Sequence, residues 1–191
     1  DDAHGVGVLG PEGRGSLAAA LHDEPFKPAN GIAPIQVGGF GKAFATSGGF
    51  VAGSQTLIDF LLQKSRLYRY TTAVSPLIAE ATRHHLQHLR RADHARAHLQ
   101  QLINFMQQRA RDLYLPIQAS STPIQPIVIG AEQQTVLLRQ HLLNKGLWVQ
   151  AIRPPTVPVG TSRLRVILTA THTLDDVERL LQALAEVIPK H

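Results

Sequence analysis

Hydrophobic and polar positions follow two different patterns along the chain, and the pattern changes near residue 92. Before that point, short apolar runs predict strands, and segments with apolar residues every three to four positions predict helices. Ser54, Pro76 and Asp93 stand where these helices begin, and all three residue types favour helix starts. The elements predicted up to residue 92 are a glycine-rich loop at 5–16, a helical piece at 17–22, a polar loop at 23–30, buried strands at 32–37 and 50–52, helices at 55–64 and 76–91, and an extended segment at 68–76. A further helix is predicted at 94–113, immediately after this point.

After residue 92, strands and helices follow one another at shorter intervals. Residues 164–168 alternate between apolar and other side chains, Gly146 is suited to end a helix, and Thr173 is suited to cap one. Strands separated by helices are typical of a small α+β or α/β domain. We therefore predict domains at 1–92 and 93–191, with the boundary at Ala92-Asp93. The predicted elements of the second domain are strands at 127–130, 147–152 and 163–169 and helices at 132–145 and 174–187.

Composition narrows the classes of protein to consider. A hydrophobic content of 43% with 17% charged residues indicates a globular chain, and no window of uncharged apolar residues approaches the length that spans a membrane. The absence of cysteine excludes disulfides and thiolate metal sites, as is common for cytoplasmic proteins. The net charge is +5, but the basic residues are scattered, and no basic run interleaved with aromatic residues indicates nucleic-acid binding.

Five histidines are grouped on two consecutive predicted helices. Histidines four residues apart can share a metal ion, but here no acidic residue stands at a recognised ligand spacing. We therefore predict a solvated helix face and no metal site for His84, His85, His88, His94 and His98.

Lys42 lies in a loop of mostly small residues, Gly38-Gly39-Phe40-Gly41-Lys42-Ala43-Phe44, between the two predicted strands. Glycine lets this backbone bend tightly, so we expect the lysine to be held still and poorly solvated. Burial favours the neutral amine, which is the form that attacks a carbonyl to make a Schiff base. The loop alone is equally compatible with a surface turn that carries a solvated lysine.

Two further motifs bear on this question. Asp1 and His4 precede the glycine-rich loop, and a carboxylate so placed can hold the protonated nitrogen of a pyridine cofactor, although this motif alone is more often a turn. Arg165 lies in a predicted strand of otherwise apolar residues, and Arg163 shares its face by the period of two. An inward arginine requires an anion, either a substrate carboxylate or an internal acidic side chain.

These motifs, in this order, resemble the pyridoxal-phosphate-dependent α-oxoamine synthases over essentially all 191 residues. The most specific motif is the segment at 152–158, which contains Arg-Pro-Pro, followed by Arg-Leu-Arg at 163–165. It favours the alanine-using branch of the family over the glycine-using relatives. The matching segments are Asp-Asp-Ala-His-Gly at 1–5, a glycine-rich segment ending at Ser16, Phe-Gly-Lys-Ala at 40–43, Tyr-Thr-Thr-Ala at 70–73, Ile-Arg-Pro-Pro-Thr-Val-Pro at 152–158 and Arg-Leu-Arg at 163–165.

The resemblance implies the fold and the cofactor residues. The fold would be pyridoxal-phosphate transferase fold type I, an α/β fold, here the C-terminal part of the large domain followed by a small α+β domain. Where the family usually has a threonine that bonds the cofactor phosphate, this chain has Gly39, so phosphate binding is expected to use backbone amides. The implied roles are covalent attachment for Lys42, pyridinium pairing for Asp1, phenolic-oxygen bonding for His4, and contact with the partner subunit's cofactor phosphate for Thr71 or Thr72.

The same resemblance implies the substrates. Arg165 would hold the carboxylate of L-alanine, and Thr156 beside Arg153 would line the side that receives a pimeloyl thioester of coenzyme A or acyl carrier protein. The expected protein is a cytoplasmic homodimer with a shared active site, acting in biotin synthesis without nucleic-acid or membrane partners. The alternatives are another α-oxoamine synthase of the glycine C-acyltransferase type and an inactive truncated copy.

The family's N-terminal half, which includes a histidine that stacks on the cofactor, has no counterpart in this sequence. The chain begins with a motif that resembles the end of a strand. We therefore expect a fragment that is marginally stable and inactive by itself.

Overall fold

The computed structural model describes residues 1–21 and 33–188, and the chain divides into two compact units, Asp1–Arg96 and Ala97–His191. This division falls within one long helix, and the domain boundary at Ala92-Asp93 stays a prediction. The predicted polar loop at 23–30 lies outside the described residues.

The first unit contains a hairpin that carries the lysine loop. Strands β1 (Gln36–Gly39) and β2 (Gly49–Ala52) pair antiparallel, with Gly39 opposite Gly49. The strands predicted on either side of the loop are present, but the prediction that they are buried is wrong, since Gly38 is the one buried residue in them. The described part of the chain adds no third strand to this ribbon, so its faces stay largely open.

Serines begin three helices of the first unit. Their hydroxyls accept backbone N–H groups of the first turn, which satisfies donors that a helix start leaves without partners. The prediction of an extended segment from residue 68 is wrong, because Ser65 caps a short helix and the extended part begins at Thr71. The helices are α1 (Ser16–Leu21), α2 (Gln55–Lys64), α3 (Arg66–Tyr70) and α4 (Pro76–Arg90), with a 3₁₀ turn at Pro11–Gly13.

Little apolar surface is buried in the first unit. Phe44 is the one large apolar side chain buried in the described part of this unit. The apolar side chains of α2 are half-buried at Leu57, Ile58 and Leu61 and exposed at Leu62. The large apolar side chains that are exposed include Ile35, Val37, Val51, Phe60, Leu67, Tyr68, Tyr70, Val74 and Leu77.

The second unit is a three-stranded antiparallel sheet with helices, which confirms the predicted α+β class. Its elements are α5 (Asp93–Asp112, whose first turn belongs to the first unit), β3 (Ile124–Gly130), α6 (Glu132–Asn144), β4 (Gln150–Ile152), β5 (Ser162–Ile167) and α7 (Leu174–Ala185), with strand order β3-β5-β4. The strand predicted from residue 147 begins only at Gln150, where pairing with β5 starts. Thr173 forms the predicted cap of α7: its hydroxyl accepts the N–H of Asp176, and the Asp176 carboxylate accepts the N–H of Thr173 in return.

The hydrophobic core of the second unit takes side chains from every helix and from both long strands. On β5, Leu164 and Val166 are buried while the alternating Arg163 and Arg165 are only half-buried, so the arginines lie on the opposite face of the sheet. The fully buried large apolar side chains are Leu102, Met106, Ile127, Leu142, Leu164, Leu181 and Leu184. Among the described residues, no helix has both the length and the apolar content needed to cross a membrane.

Candidate active site

The buried carboxylate of Asp2 organises the N-terminal segment. It accepts the backbone N–H of Ser16 at 2.9 Å, the Ser16 hydroxyl at 2.5 Å and the side-chain amide of Gln36 at 2.9 Å. A Cβ atom at either Gly5 or Gly15 would lie 2.0 Å from a carboxylate oxygen of Asp2. These glycines therefore make room for Asp2. The role of Asp2 was not predicted, because its partners Ser16 and Gln36 lie 14 and 34 residues away along the chain.

Asp1 and His4 flank this buried residue and are both exposed. Oδ1 of Asp1 accepts the N–H of Ala3 at 2.7 Å, which fixes the direction of the carboxylate. The two side chains assigned to the cofactor therefore lie on the surface of a segment that is anchored by its buried neighbour.

The N-terminal segment lies beside the strand that leads to Lys42. The N–H of Asp2 donates to the carbonyl of Val37 at 2.7 Å. A Cβ atom at Gly39 would lie 3.7 Å from Cβ of Ala3, which is ordinary van der Waals contact. The structure thus brings the Asp1–His4 segment next to Gly39, three residues before the lysine.

Lys42 itself is exposed, so the prediction of a poorly solvated lysine is wrong for the described chain. The hairpin turn places Phe44 inside, only 4% exposed, and leaves the lysine outside. Backbone bonds define the turn, since Ala45 N–H donates to the Lys42 carbonyl and Thr46 N–H to the Phe40 carbonyl, both at 2.9 Å. The lysine is therefore held on an ordered turn without being buried.

Aromatic rings and the glycine-rich loop pack against this turn. The Phe40 ring meets Phe44 edge-on at 5.1 Å between centroids and stacks with Phe50 at 5.6 Å. Gly7 has a φ of 86°, and a Cβ atom there would lie 2.6 Å from Cβ of Ala43. Only glycine allows the loop to approach the residue after Lys42 so closely.

Thr71 and Thr72 are exposed in the extended segment after α3. Two residues further on, a methyl group of Val74 lies 3.9 Å from the position that a Cβ atom would take at Gly48. The segment that carries the threonines therefore passes beside the lysine hairpin.

The predicted solvated histidine face is only partly correct. His84, His88 and His94 are exposed, but Nδ1 of the half-buried His85 bonds the carbonyl of Phe44, and Nε2 of His98 bonds the carbonyl of His172 at 2.9 Å. Both partners lie far away in sequence, so helical spacing could not indicate them. The described residues contain no group of three or more metal-ligating side chains.

Arg165 occupies the central strand of the second unit, between Pro126 on β3 and Gln150 on β4. Its Nη2 donates to the amide oxygen of Gln150 at 2.6 Å, and its Nε is buried with no hydrogen-bond partner among the described residues. The prediction of an arginine directed into an apolar core is wrong, because Arg165 lies on the face opposite the core. A buried donor without a partner is unfavourable, so this guanidinium is suited to bind an anion.

Arg153 and Thr156 lie in the turn after β4. Nη1 of Arg153 donates to Glu132 at 2.8 Å in a half-exposed ion pair, and its carbonyl accepts the N–H of Thr156 at 3.0 Å. The Thr156 side chain is exposed. The structure therefore places these two residues together in one turn.

Comparison with known proteins supports the family resemblance. A sequence profile described as aminotransferase class I and II matches residues 1–184. An 8-amino-7-oxononanoate synthase of Marinobacter nauticus is 52% identical over 187 residues, which are 97% of this chain and 46% of that protein. The enzyme of the same name from Aeromonas salmonicida is 47% identical over 96% of this chain and 45% of its own length. The chain thus spans about half the length of these curated relatives.

Comparison with solved structures also supports the family resemblance. The crystal structure of 8-amino-7-oxononanoate synthase from Francisella tularensis superposes with a TM-score of 0.85 and 29% identity, covering 97% of this chain and 53% of that one. Sphingomonas wittichii serine palmitoyltransferase gives a TM-score of 0.84 with 29% identity, covering 99% and 48%. The predicted fold class and the resemblance to α-oxoamine synthases are confirmed. The chain belongs to the aminotransferase class I and II family.

Proposed function

We propose that this chain carries part of the active site of an 8-amino-7-oxononanoate synthase, a pyridoxal-phosphate-dependent acyltransferase. The reaction would join the α-carbon of L-alanine to the acyl carbon of a pimeloyl thioester, with release of the thiol carrier (coenzyme A or acyl carrier protein) and of carbon dioxide. The observation that carries the proposal is the convergence of the Asp1–His4 segment and the glycine-rich loop on the hairpin that holds Lys42. The similarity to enzymes of this name, at 52% identity in one case, supports the choice of reaction.

The residues around the hairpin fit pyridoxal phosphate by their chemistry. An exposed amine, an exposed carboxylate and an exposed imidazole are carried by Lys42, Asp1 and His4. At Gly39 the chain lacks the threonine hydroxyl that the family resemblance implies, so the phosphate would be held by backbone amides. When bound, the cofactor would accept the electron pair left on the amino-acid α-carbon.

Each of these side chains has a distinct task in the proposal. Nζ of Lys42 would attach the cofactor through its aldehyde and, once displaced by the amino acid, would accept the α-proton. Asp1 would keep the proton on the pyridine nitrogen, and His4 would donate to the phenolic oxygen. Thr71 or Thr72 would reach the phosphate held by the second subunit of a homodimer, which their exposure beside the hairpin supports.

Arg165 would bind the carboxylate of L-alanine. The bond to Gln150 uses one Nη2 proton and leaves Nε–H without a partner among the described residues, so adjacent donors remain for a two-point contact with a carboxylate. Arg153 and Thr156 would line the path of the acyl thioester, carried by coenzyme A or by an acyl carrier protein. The absence of cysteine is in keeping with the cytoplasmic location that we propose.

The cofactor assignment can be tested by a visible absorption titration of the chain with pyridoxal phosphate. We expect a band that is lost in Lys42→Ala and retained in Lys64→Ala, which removes another exposed lysine of the same unit. A band of equal strength in Lys42→Ala would contradict the role of Lys42. Turnover of a pimeloyl thioester with alanine rather than glycine, measured on a protein that also carries the N-terminal half of the family, then separates the proposed reaction from that of a glycine C-acyltransferase.

A further inference from the structure

Helix α4 contacts the lysine turn at two points. Nδ1 of His85 bonds the carbonyl of Phe44, and the hydroxyls of Thr82 and Thr46 lie 2.8 Å apart. Thr82 and His85 are three residues apart, so they lie on the same face of the helix. All four residues are buried or half-buried.

The direction of each bond follows from the chemistry of its groups. A carbonyl oxygen only accepts, so Nδ1 of His85 must carry the proton in its bond to Phe44. The hydroxyl proton of Thr82 is used in a 2.8 Å bond to the carbonyl of Ile78 in its own helix. Thr46 therefore donates to Thr82, which at 2.8 Å is much nearer than its other acceptor, the carbonyl of Phe40 at 3.5 Å. The helix therefore supplies one donor and one acceptor to the turn.

These two bonds stand on either side of Ala45, whose φ is 50°. The left-handed conformation is disfavoured for a residue with a Cβ atom and persists only where the surrounding structure imposes it. The N–H of Ala45 is the donor that closes the turn onto the carbonyl of Lys42. Contacts at Phe44 and Thr46 thus hold the conformation that defines the backbone at Lys42.

The same helix also supports the glycine-rich loop. Methyl groups of Leu89 lie 3.5 Å from the position that a Cβ atom would take at Gly7. Arg96, in the first turn of α5, links α4 to this loop, because its Nη1 donates to the carbonyls of Leu89 at 2.8 Å and Gly7 at 3.3 Å. Helix α4 is therefore the common support of the two loops that meet at Ala43.

We propose that His85 and Thr82 are positioning residues for Lys42, which act by holding the strained turn at Ala45. This inference rests on the proposed function, because the proposed attachment of the cofactor to Lys42 is what gives the ordered turn a part in catalysis. It concerns the orientation of the lysine backbone and requires no contact between α4 and the cofactor.

The test compares His85→Ala, His85→Asn and Thr82→Val with His88→Ala, which removes an exposed histidine of the same helix. Asparagine retains a donor near the position of Nδ1. The first readout is amide hydrogen exchange at Ala45 and Thr46 in the 191-residue chain. The second is the concentration of pyridoxal phosphate that gives half of the visible absorption change.

We expect exchange at Ala45 to be about five to ten times faster in His85→Ala, as the loss of one hydrogen bond predicts, with weaker cofactor binding by a similar factor. His85→Asn should recover most of both effects, and Thr82→Val should resemble His85→Ala. Unchanged exchange at Leu164, in the core of the second unit, would show that the effect is local.

Equal exchange and equal cofactor binding in His85→Ala and His88→Ala would overturn the proposal, as would a failure of His85→Asn to recover either readout. A cofactor band that does not require Lys42 would instead contradict the proposed function. In that case the exchange comparison would still decide whether α4 orders the turn.

Discussion

The carboxylate of Asp2 accepts two hydrogen bonds from Ser16, one from its backbone N–H at 2.9 Å and one from its hydroxyl at 2.5 Å. The neighbouring Asp1 is exposed, and its carboxylate accepts the N–H of Ala3, two residues along the chain. Two adjacent aspartates therefore have separate tasks. One closes the glycine-rich loop, and the other presents a carboxylate at the surface beside the lysine hairpin.

Asp2→Asn should destabilise the first unit by about 2 kcal/mol, because it replaces charge-assisted bonds in a buried position. Urea unfolding, together with hydrogen exchange at the Ser16 amide, measures the effect. Asp1→Asn is the matched control and should change the unfolding free energy by less than about 0.5 kcal/mol. Equal destabilisation by the two variants would contradict the separation of roles.

Asp1, which is expected to contribute little to stability, should contribute to the binding of the cofactor. Asp1→Asn removes the negative charge that the proposal places at the pyridine nitrogen, so pyridoxal phosphate should bind about tenfold more weakly. The absorption titration measures this, with thermal unfolding as a check that Asp1→Asn remains folded. Unaltered binding would rule out a pyridinium contact from Asp1.

Gly7→Ala should be more destabilising than Gly160→Ala. Both glycines have positive φ, 86° and 79°, but only Gly7 has a neighbour, Cβ of Ala43 at 2.6 Å from the added atom, while nothing lies within 4 Å at Gly160. At both positions the positive φ should lower the free energy of unfolding of the alanine variant by about 1–2 kcal/mol. At Gly7 the clash with Ala43 should lower it further. Denaturant unfolding of the two variants tests whether the loop and the lysine turn are in contact.

Gly39→Thr should be tolerated and should strengthen cofactor binding. The Cβ atom would make ordinary contact with Ala3 at 3.7 Å, and threonine favours a strand. Its hydroxyl would restore the phosphate contact that the resemblance to α-oxoamine synthases implies, with a gain in affinity of up to about tenfold. Gly39→Val has a similar shape without the hydroxyl, so a gain in affinity in both variants would show that the hydroxyl is not responsible.

Acid should weaken the ion pair between Arg109 on α5 and Glu178 on α7, which lie 3.0 Å apart. Hydrogen bonds from Arg109 and then Gln182 lower the pKa of Glu178 below its usual value of 4.5. A lowered pKa in the folded state means that the stabilisation is complete above the unfolded value and is lost as pH falls through the folded value.

Glu178→Gln should therefore lower the melting temperature at pH 7, and the difference from the unsubstituted chain should narrow below pH 4.5. Asp175→Asn, at an exposed position of the same helix, removes a charge without removing this ion pair. A melting difference for Glu178→Gln that stays constant from pH 7 to pH 3 would contradict the assignment.

Limited proteolysis of the isolated chain should cleave the first unit before the second. Phe44 is the one buried large apolar side chain in the described part of the first unit, whereas the second unit buries apolar side chains from three helices and two strands. Regions with little buried apolar surface open more readily. Early cleavage within α6 or β5 would contradict this order.

Local signals predicted most elements of the fold. Ser54 and Thr173 cap helices as predicted, because a cap bonds backbone groups within the first turn, and Pro76 is the first residue of α4, where its missing N–H costs nothing. The helix Arg66–Tyr70 was missed, although Ser65 caps it in the same way, because the hydroxyl-rich segment that follows it dominated the pattern. The order of the motifs was sufficient to indicate the family, which the match over residues 1–184 shows.

The sequence by itself determined most helix and strand positions, the family and the candidate residues, because these depend on neighbours along the chain. Only the tertiary structure decided that Lys42 is exposed, that Asp2 is the buried aspartate and that His85 holds the lysine turn. The bonds involved join residues 14, 34 and 41 positions apart, as in Asp2 with Ser16, Asp2 with Gln36 and His85 with Phe44. Burial and hydrogen bonding across such separations arise from packing, which local spacing does not encode.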